Sequence, residues 1–177
     1  YTALRAHQYD AAIEQFRNAA RENPGRAPTH KDLAYTLLKT GENEAARDAF
    51  AEAMRLDPND SQAALEYAFL AFETGRKAEA RRIFDRLRRT GNQTAAQAFD
   101  NIDQPLAGAI ARWREALRQT PGNFSAHEEL ARVAEQRDER ALAAEHYLAA
   151  WRIRPRERRL LVDLGRVRGE QGLSALL

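Results

Sequence analysis

Four histidines, His7, His30, His127 and His146, are the first residues to ask for chemistry, since imidazole binds metals and moves protons near neutral pH. None stands in a metal-ligand spacing such as H-E-x-x-H. His30 adjoins Lys31 and Asp32, and His146 follows Glu145. Neighbours in sequence do not share a helix face, so these pairs do not converge. Glu128-Glu129 and Asp138-Glu139 are paired carboxylates of the type that acid–base catalysis uses. Solvated helix faces and cap positions account for both. The chain has no Cys, which removes a thiol nucleophile, a disulfide and a thiolate metal site. No phosphate-cradling Gly loop, nucleophile elbow or dinucleotide turn occurs. These residues predict a protein that is not an enzyme, with no catalytic residue, no metal and no cofactor.

The elements come next. The chain has 177 residues, a length that predicts one domain with a sizeable core. Ala supplies 35 residues and Leu 19, against 8 for Val and Ile together. That balance predicts helix and argues against sheet. A hydrophobic share of 44% without a long polar tract argues against disorder. No run approaches the length of a membrane span, and no basic-then-apolar leader is present. The chain opens with Tyr1 in mid-pattern and reads as a fragment of a longer protein. Its compartment is left open. Arg outnumbers Lys 25 to 3, which suits a GC-rich, bacterial genome.

One spacing recurs. Gly41 and Gly75, Phe50 and Phe84, Pro24 and Pro58, Pro121 and Pro155, and Trp113 and Tyr147 are each 34 residues apart. Residues 27–58 show what one repeat contains. Leu33, Ala34, Leu37 and Leu38 make an apolar helical stripe that Thr40-Gly41 ends. Ala45, Ala46, Ala49, Phe50 and Ala53 make a second stripe, and Asp57-Pro58 stops it. Asp60 or Ser61 can cap the helix that follows. Ala46, Ala53, Ala80, Ala109, Ala116, Ala143 and Ala150 permit close helix approach, while Phe50, Phe84, Trp113 and Tyr147 fill the space between pairs. A single helix pair cannot bury both faces, so stacking must supply the core.

This pattern resembles the tetratricopeptide repeat family. The matches are Leu33, Ala34, Ala46, Phe50, Ala53 and Pro58 in one repeat, and Leu130, Ala131, Ala143, Tyr147, Ala150 and Pro155 in another. Residues 1–24 carry only a second helix, with Ala12, Phe16, Ala19 and Pro24. Residues 158–177 carry only a first, with Leu161, Leu164, Gly165 and Gly172. The resemblance implies an all-α, right-handed superhelical solenoid of about five antiparallel helix pairs, partial at both ends. The repeats would lie at 1–26, 27–60, 61–92, 93–123, 124–157 and 158–177 within a single domain. The interval from Phe84 to Trp113 is 29, five short of the period. The sequence predicts that 93–123 is shortened by a first helix of two to three turns closing before Pro105.

The resemblance further implies a concave face built from the first helices, where a peptide or partner helix docks. Lys31, Tyr35, Leu38, Leu65, Phe69 and Phe72 would make its N-terminal part apolar and aromatic. Glu128, Arg132, Asp163 and Arg166 would make its C-terminal part charged, with Arg132 and Arg166 suited to a carboxylate. Some members clamp the C-terminal carboxylate of chaperones. Here Lys31 fits that clamp, but Tyr35, Leu65 and Glu66 stand where it wants Asn, Lys or Arg, so a chaperone-tail function is not expected.

The expected role is a non-catalytic scaffold for a protein or peptide partner. Self-association is the alternative, because Leu173, Ala175, Leu176 and Leu177 leave an uncapped apolar end that invites a homodimer through terminal helices. Nucleic acid is the least favoured partner. Arg76, Lys77, Arg81, Arg82, Arg86, Arg88 and Arg89 form one basic cluster, and Arg152, Arg154, Arg156, Arg158 and Arg159 another. Neither interleaves aromatics for base stacking, and the net charge is only +2.

Overall fold

The computed structural model describes residues 2–169. The apolar end at Leu173–Leu177, on which self-association was argued, lies outside the described residues, as does Gly172. Among the described residues the protein is all helix: α1 (Thr2–Glu22), α2 (Ala27–Thr40), α3 (Asn43–Leu56), α4 (Ser61–Glu73), α5 (Lys77–Arg89), α6 (Gln93–Gln119), α7 (Phe124–Gln136), α8 (Arg140–Ile153) and α9 (Arg158–Arg168). The chain forms two compact bodies that divide between Phe99 and Asp100, within α6. In the first, α1 packs on α2, α2 on α3, α3 on α4 and α4 on α5. In the second, α7 packs on α8 and α8 on α9. Both bodies are helical repeat arrays. No described helix is long and apolar enough to cross a membrane.

The helix ends follow from local chemistry. Gly41 stops α2 at φ 79°, and its N–H reaches the carbonyls of Leu37 and Leu38. At the corresponding turn after α4, Gly75 adopts φ 90°. Asp138 occupies the same repeat position after α7 and takes φ 60° without being Gly. Asp60 caps α4 by accepting from the Ala63 N–H at 3.0 Å, as its place in the sequence predicts. A Cβ on Gly41 would meet no atom within 4 Å, so Gly41→Ala tests backbone strain alone. It is expected to cost about 1–2 kcal/mol in denaturant unfolding. Gly122→Ala, equally open but without positive φ, is expected to cost far less.

The repeat residues form the cores. Ala34, Ala46, Phe50, Ala53, Ala68, Ala80 and Phe84 are buried in the first body. In the second, Ala131, Ala134, Ala143, Tyr147, Ala150, Leu160 and Leu164 form one cluster with Ile110 and Phe124. Ala lets the backbones close up, and the aromatic fills the remaining gap.

The shortened repeat differs from the expectation. There is no first helix closing before Pro105. Residues 93–119 form one continuous helix of 27 residues with Pro105 inside it. The missing residues removed the turn between two helices, not turns of the first. No Thr-Gly stop remains between Gln93 and Gln119, and losing the N–H of one Pro does not outweigh the propagation of the helix around it. A consequence shows at Ala109, Trp113 and Ala116, which are only half-buried where their repeat equivalents are buried. With no turn, this half of α6 has no first helix of its own folded back on it.

Candidate protein-binding surface

In the first body, α2 and α4 carry the apolar residues expected to bind. Lys31 on α2 donates to the Asp60 carboxylate at the start of α4, at 2.5 Å. That bond raises the Lys31 pKa. It also lowers that of Asp60, against the opposing effect of burial. The pair therefore fixes α2 against α4 and leaves Lys31 less available to a ligand. Tyr35 meets Phe50 edge-on with ring centroids 5.0 Å apart, and Phe69 meets Phe84 in the same way at 4.9 Å. These are equivalent positions of successive repeats. Each aromatic of the first helix thus seats one edge on the core.

The other edge stays open. Phe69 is 39% exposed and Phe72 36%, high values for Phe on a helix that otherwise buries seven residues. Lys77 places its ammonium 5.4 Å from the Phe72 ring centre. Leu38 is half-buried and Leu65 buried. The sequence therefore brings Tyr35, Leu38, Phe69 and Phe72 to partly open positions on paired first helices, while Leu65 serves the core.

In the second body, α7 and α9 carry the charged residues, and their charges meet each other. Glu128, buried on α7, accepts two hydrogen bonds from Arg159 on α9, one of them at 3.2 Å, and another from Arg132 at 3.2 Å. Arg132 also donates to Glu129 at 2.9 Å. Two turns along, Arg166 on α9 forks onto Glu135 of α7, with Nε at 2.6 Å from Oε1 and Nη2 at 2.8 Å from Oε2. Tyr147 donates its hydroxyl to the same carboxylate at 3.0 Å, and Asp163 accepts from Arg166 at 2.9 Å. The carboxylates of this chain already occupy Arg132 and Arg166, the side chains expected to take a ligand's carboxylate. Val162, on the same helix, is 68% exposed.

The electrostatics follow. The hydrogen bonds from Arg159 and Arg166 hold Glu128 and Glu135 below the usual carboxylate range, against the opposing effect of burial. Burial, followed by the nearby Glu135 charge, pushes the Tyr147 hydroxyl well up. A carboxylate whose pKa falls on folding stabilises the protein above its unfolded pKa. That contribution disappears as the pH drops through the folded value. The body formed by 100–169 should therefore lose stability below about pH 4.5. Glu128→Gln with Glu135→Gln is expected to flatten this acid limb in a pH series of chemical denaturation.

Several contacts are not legible as pairs in the sequence reading. Arg159 is the main partner of Glu128, and its signal was available: Glu128 to Arg159 and Glu135 to Arg166 are both separations of 31. His127 and His146 approach with Nδ1 atoms 2.8 Å apart. The ring Nε2 of His127 also meets the Pro121 carbonyl at 2.9 Å, as that of His30 meets Pro24. The repeated P-G-x-x-x-x-H at 24–30 and 121–127 marks that clamp. The basic clusters are also engaged within the chain. The Arg81 and Arg88 guanidiniums lie 4.9 and 4.1 Å from the Phe99 ring centre, and Arg154 lies 4.0 Å from that of Phe124. Among the described residues no cluster of three His, Asp or Glu could hold a metal ion.

Comparison with known proteins agrees with this architecture. A tetratricopeptide repeat model matches residues 3–64 and 43–99, and a second such model matches 103–158. The tetratricopeptide repeat domain of P58(IPK) superposes with a TM-score of 0.51 at 17% identity, covering 99% of this chain and 54% of that one. Residues 41 to the end of MamA from Desulfovibrio magneticus give 0.49 at 17% identity, covering 88% and 91%. YrrB, a repeat protein of this type with an unusual peptide-binding site, gives 0.45 at 16% identity, covering 90% and 84%. No curated sequence matches the chain significantly.

Proposed function

The chain belongs to the tetratricopeptide repeat family, and on that premise we propose that it is a non-catalytic scaffold that binds a segment of a protein partner on the α2 and α4 face. The observation that carries this reading is the open edge of Phe69 and Phe72 on α4, with Tyr35 and Leu38 half-buried at first-helix positions of α2. An apolar side chain of a peptide or amphipathic helix, laid against that edge, would finish the burial that the fold leaves incomplete. Buried aromatic anchors dominate the energy of such interfaces. The charged face of α7 and α9 supports stiffness more than capture, since its Arg and Glu side chains satisfy one another.

The test is a peptide array probed with the whole chain and with two variants. Phe72→Ala removes a half-open anchor whose ring lies under the Lys77 ammonium, and should weaken binding about 30-fold. Phe69→Ala should act in the same direction but also loosens Phe84. Arg132→Ala should have little effect. Undiminished binding by Phe72→Ala would sink the proposal.

Self-association is a second reading, favoured by Val162 at 68% and Ile153 at 40% exposure in the last described helices. Light scattering across a concentration series tests it. Val162→Glu is expected to abolish any dimer that this surface makes.

A further inference from the structure

In the C-terminal body, α6 and α8 border an open pocket of about 550 Å³ lined by Ala111, Arg114, Leu117, Arg118 and His146. Its charges are unevenly committed. Arg118 is paired with Glu115. Arg114 makes no ion pair with any described residue. Ala111 and Leu117 supply an apolar wall beside it.

The histidine pair fixes the state of the third polar group. A carbonyl only accepts, so His127 must donate Nε2–H to Pro121. In the neutral ring its Nδ1 then carries the lone pair. The Nδ1–H of His146 must therefore donate across the 2.8 Å gap. That leaves Nε2 of His146 with its lone pair and no hydrogen-bond partner among the described residues. A proton added to the pair leaves Nε2 of His146 carrying hydrogen, because the bond between the rings survives with either Nδ1 as its donor.

We propose that this pocket is a carboxylate-binding site, with Arg114 gripping the anion and Nε2 of His146 as a second donor once protonated. One uncommitted guanidinium matches a monoanion better than a dianion, because Glu115 already neutralises Arg118. The apolar wall suits the methylenes that carry a carboxylate, in an acidic side chain or a small free acid.

The site is pH-sensitive in a defined direction. Burial, followed by the neighbouring His127, holds the His146 pKa below its usual value; Glu145 on its own helix opposes this, and Arg114 on α6 adds to it. A bound carboxylate raises that pKa, so binding must tighten as the pH falls through it. The gain ends where the ligand's own carboxylate takes up a proton.

The experiment follows the His146 ring by NMR in the whole chain while pH is varied, with butyrate, with end-blocked Ala-Glu-Ala, and with butylammonium as the control. Butyrate, the tripeptide or both should raise the His146 pKa and bind about fivefold tighter below it than above it. The control should do neither. Response to butyrate alone identifies a small acid as the natural occupant, and a stronger response to the tripeptide identifies an acidic protein segment. Arg114→Ala should lose about fivefold in affinity, with part recovered in Arg114→Lys. His146→Gln should bind at neutral pH but lose the pH dependence. An unchanged His146 titration with both carboxylates, or undiminished binding by Arg114→Ala, overturns the proposal.

Discussion

Replacing Phe84 by Ala is expected to destabilise the first body by about 3–5 kcal/mol. Phe84 is 1% exposed and is among the largest fully buried side chains. It packs edge-on against Phe69 from the preceding helix, so its loss leaves a cavity and removes an aromatic contact. Hydrogen exchange of α4 and α5 amides in the whole chain is the measurement. Phe84→Leu should keep most of the stability, because it refills most of the volume. Phe69→Ala should cost less than Phe84→Ala, since Phe69 is already 39% exposed. Equal effects of Phe69→Ala and Phe84→Ala would mean that the second-helix aromatic does not anchor the repeat.

Enlarging a buried small residue should be damaging for the opposite reason. Ala131 is 0% exposed within the cluster that holds Phe124, Tyr147, Leu160 and Leu164. Ala131→Leu adds volume where the backbones already lie close, and is expected to cost about 1–3 kcal/mol. Ala141→Leu, on the exposed side of α8, should change stability by no more than about 0.5 kcal/mol. Denaturant unfolding of both variants gives the comparison. If the two behave alike, the Ala of the repeat reflects helix propensity and not close packing.

The sequence reading and the structure part company where contacts are distant along the chain. The candidate residues of α2 and α4 were legible because the repeat fixes which positions of a first helix share a face. That periodicity did not say that Lys31 would be held by Asp60, or that Leu65 would be buried while Phe69 stayed half open. It also did not show that Arg132 and Arg166 would find carboxylates within their own chain. The charged face was legible as a set of residues but not as a network.

Outside 93–119, the sequence by itself determined the helices, their Gly and Asp ends, the small and aromatic core positions and the family. Each of these depends on residues within about one repeat, where spacing and backbone preference are sufficient. Only the tertiary structure decided that 93–119 runs as one helix through Pro105, that Glu128 and Glu135 of α7 pair with Arg159 and Arg166 of α9, and that His127 meets His146. Pairing and burial of this kind depend on how separate helices close on one another. A five-residue loss can shorten a helix or erase a turn, and the repeat spacing alone does not select between them.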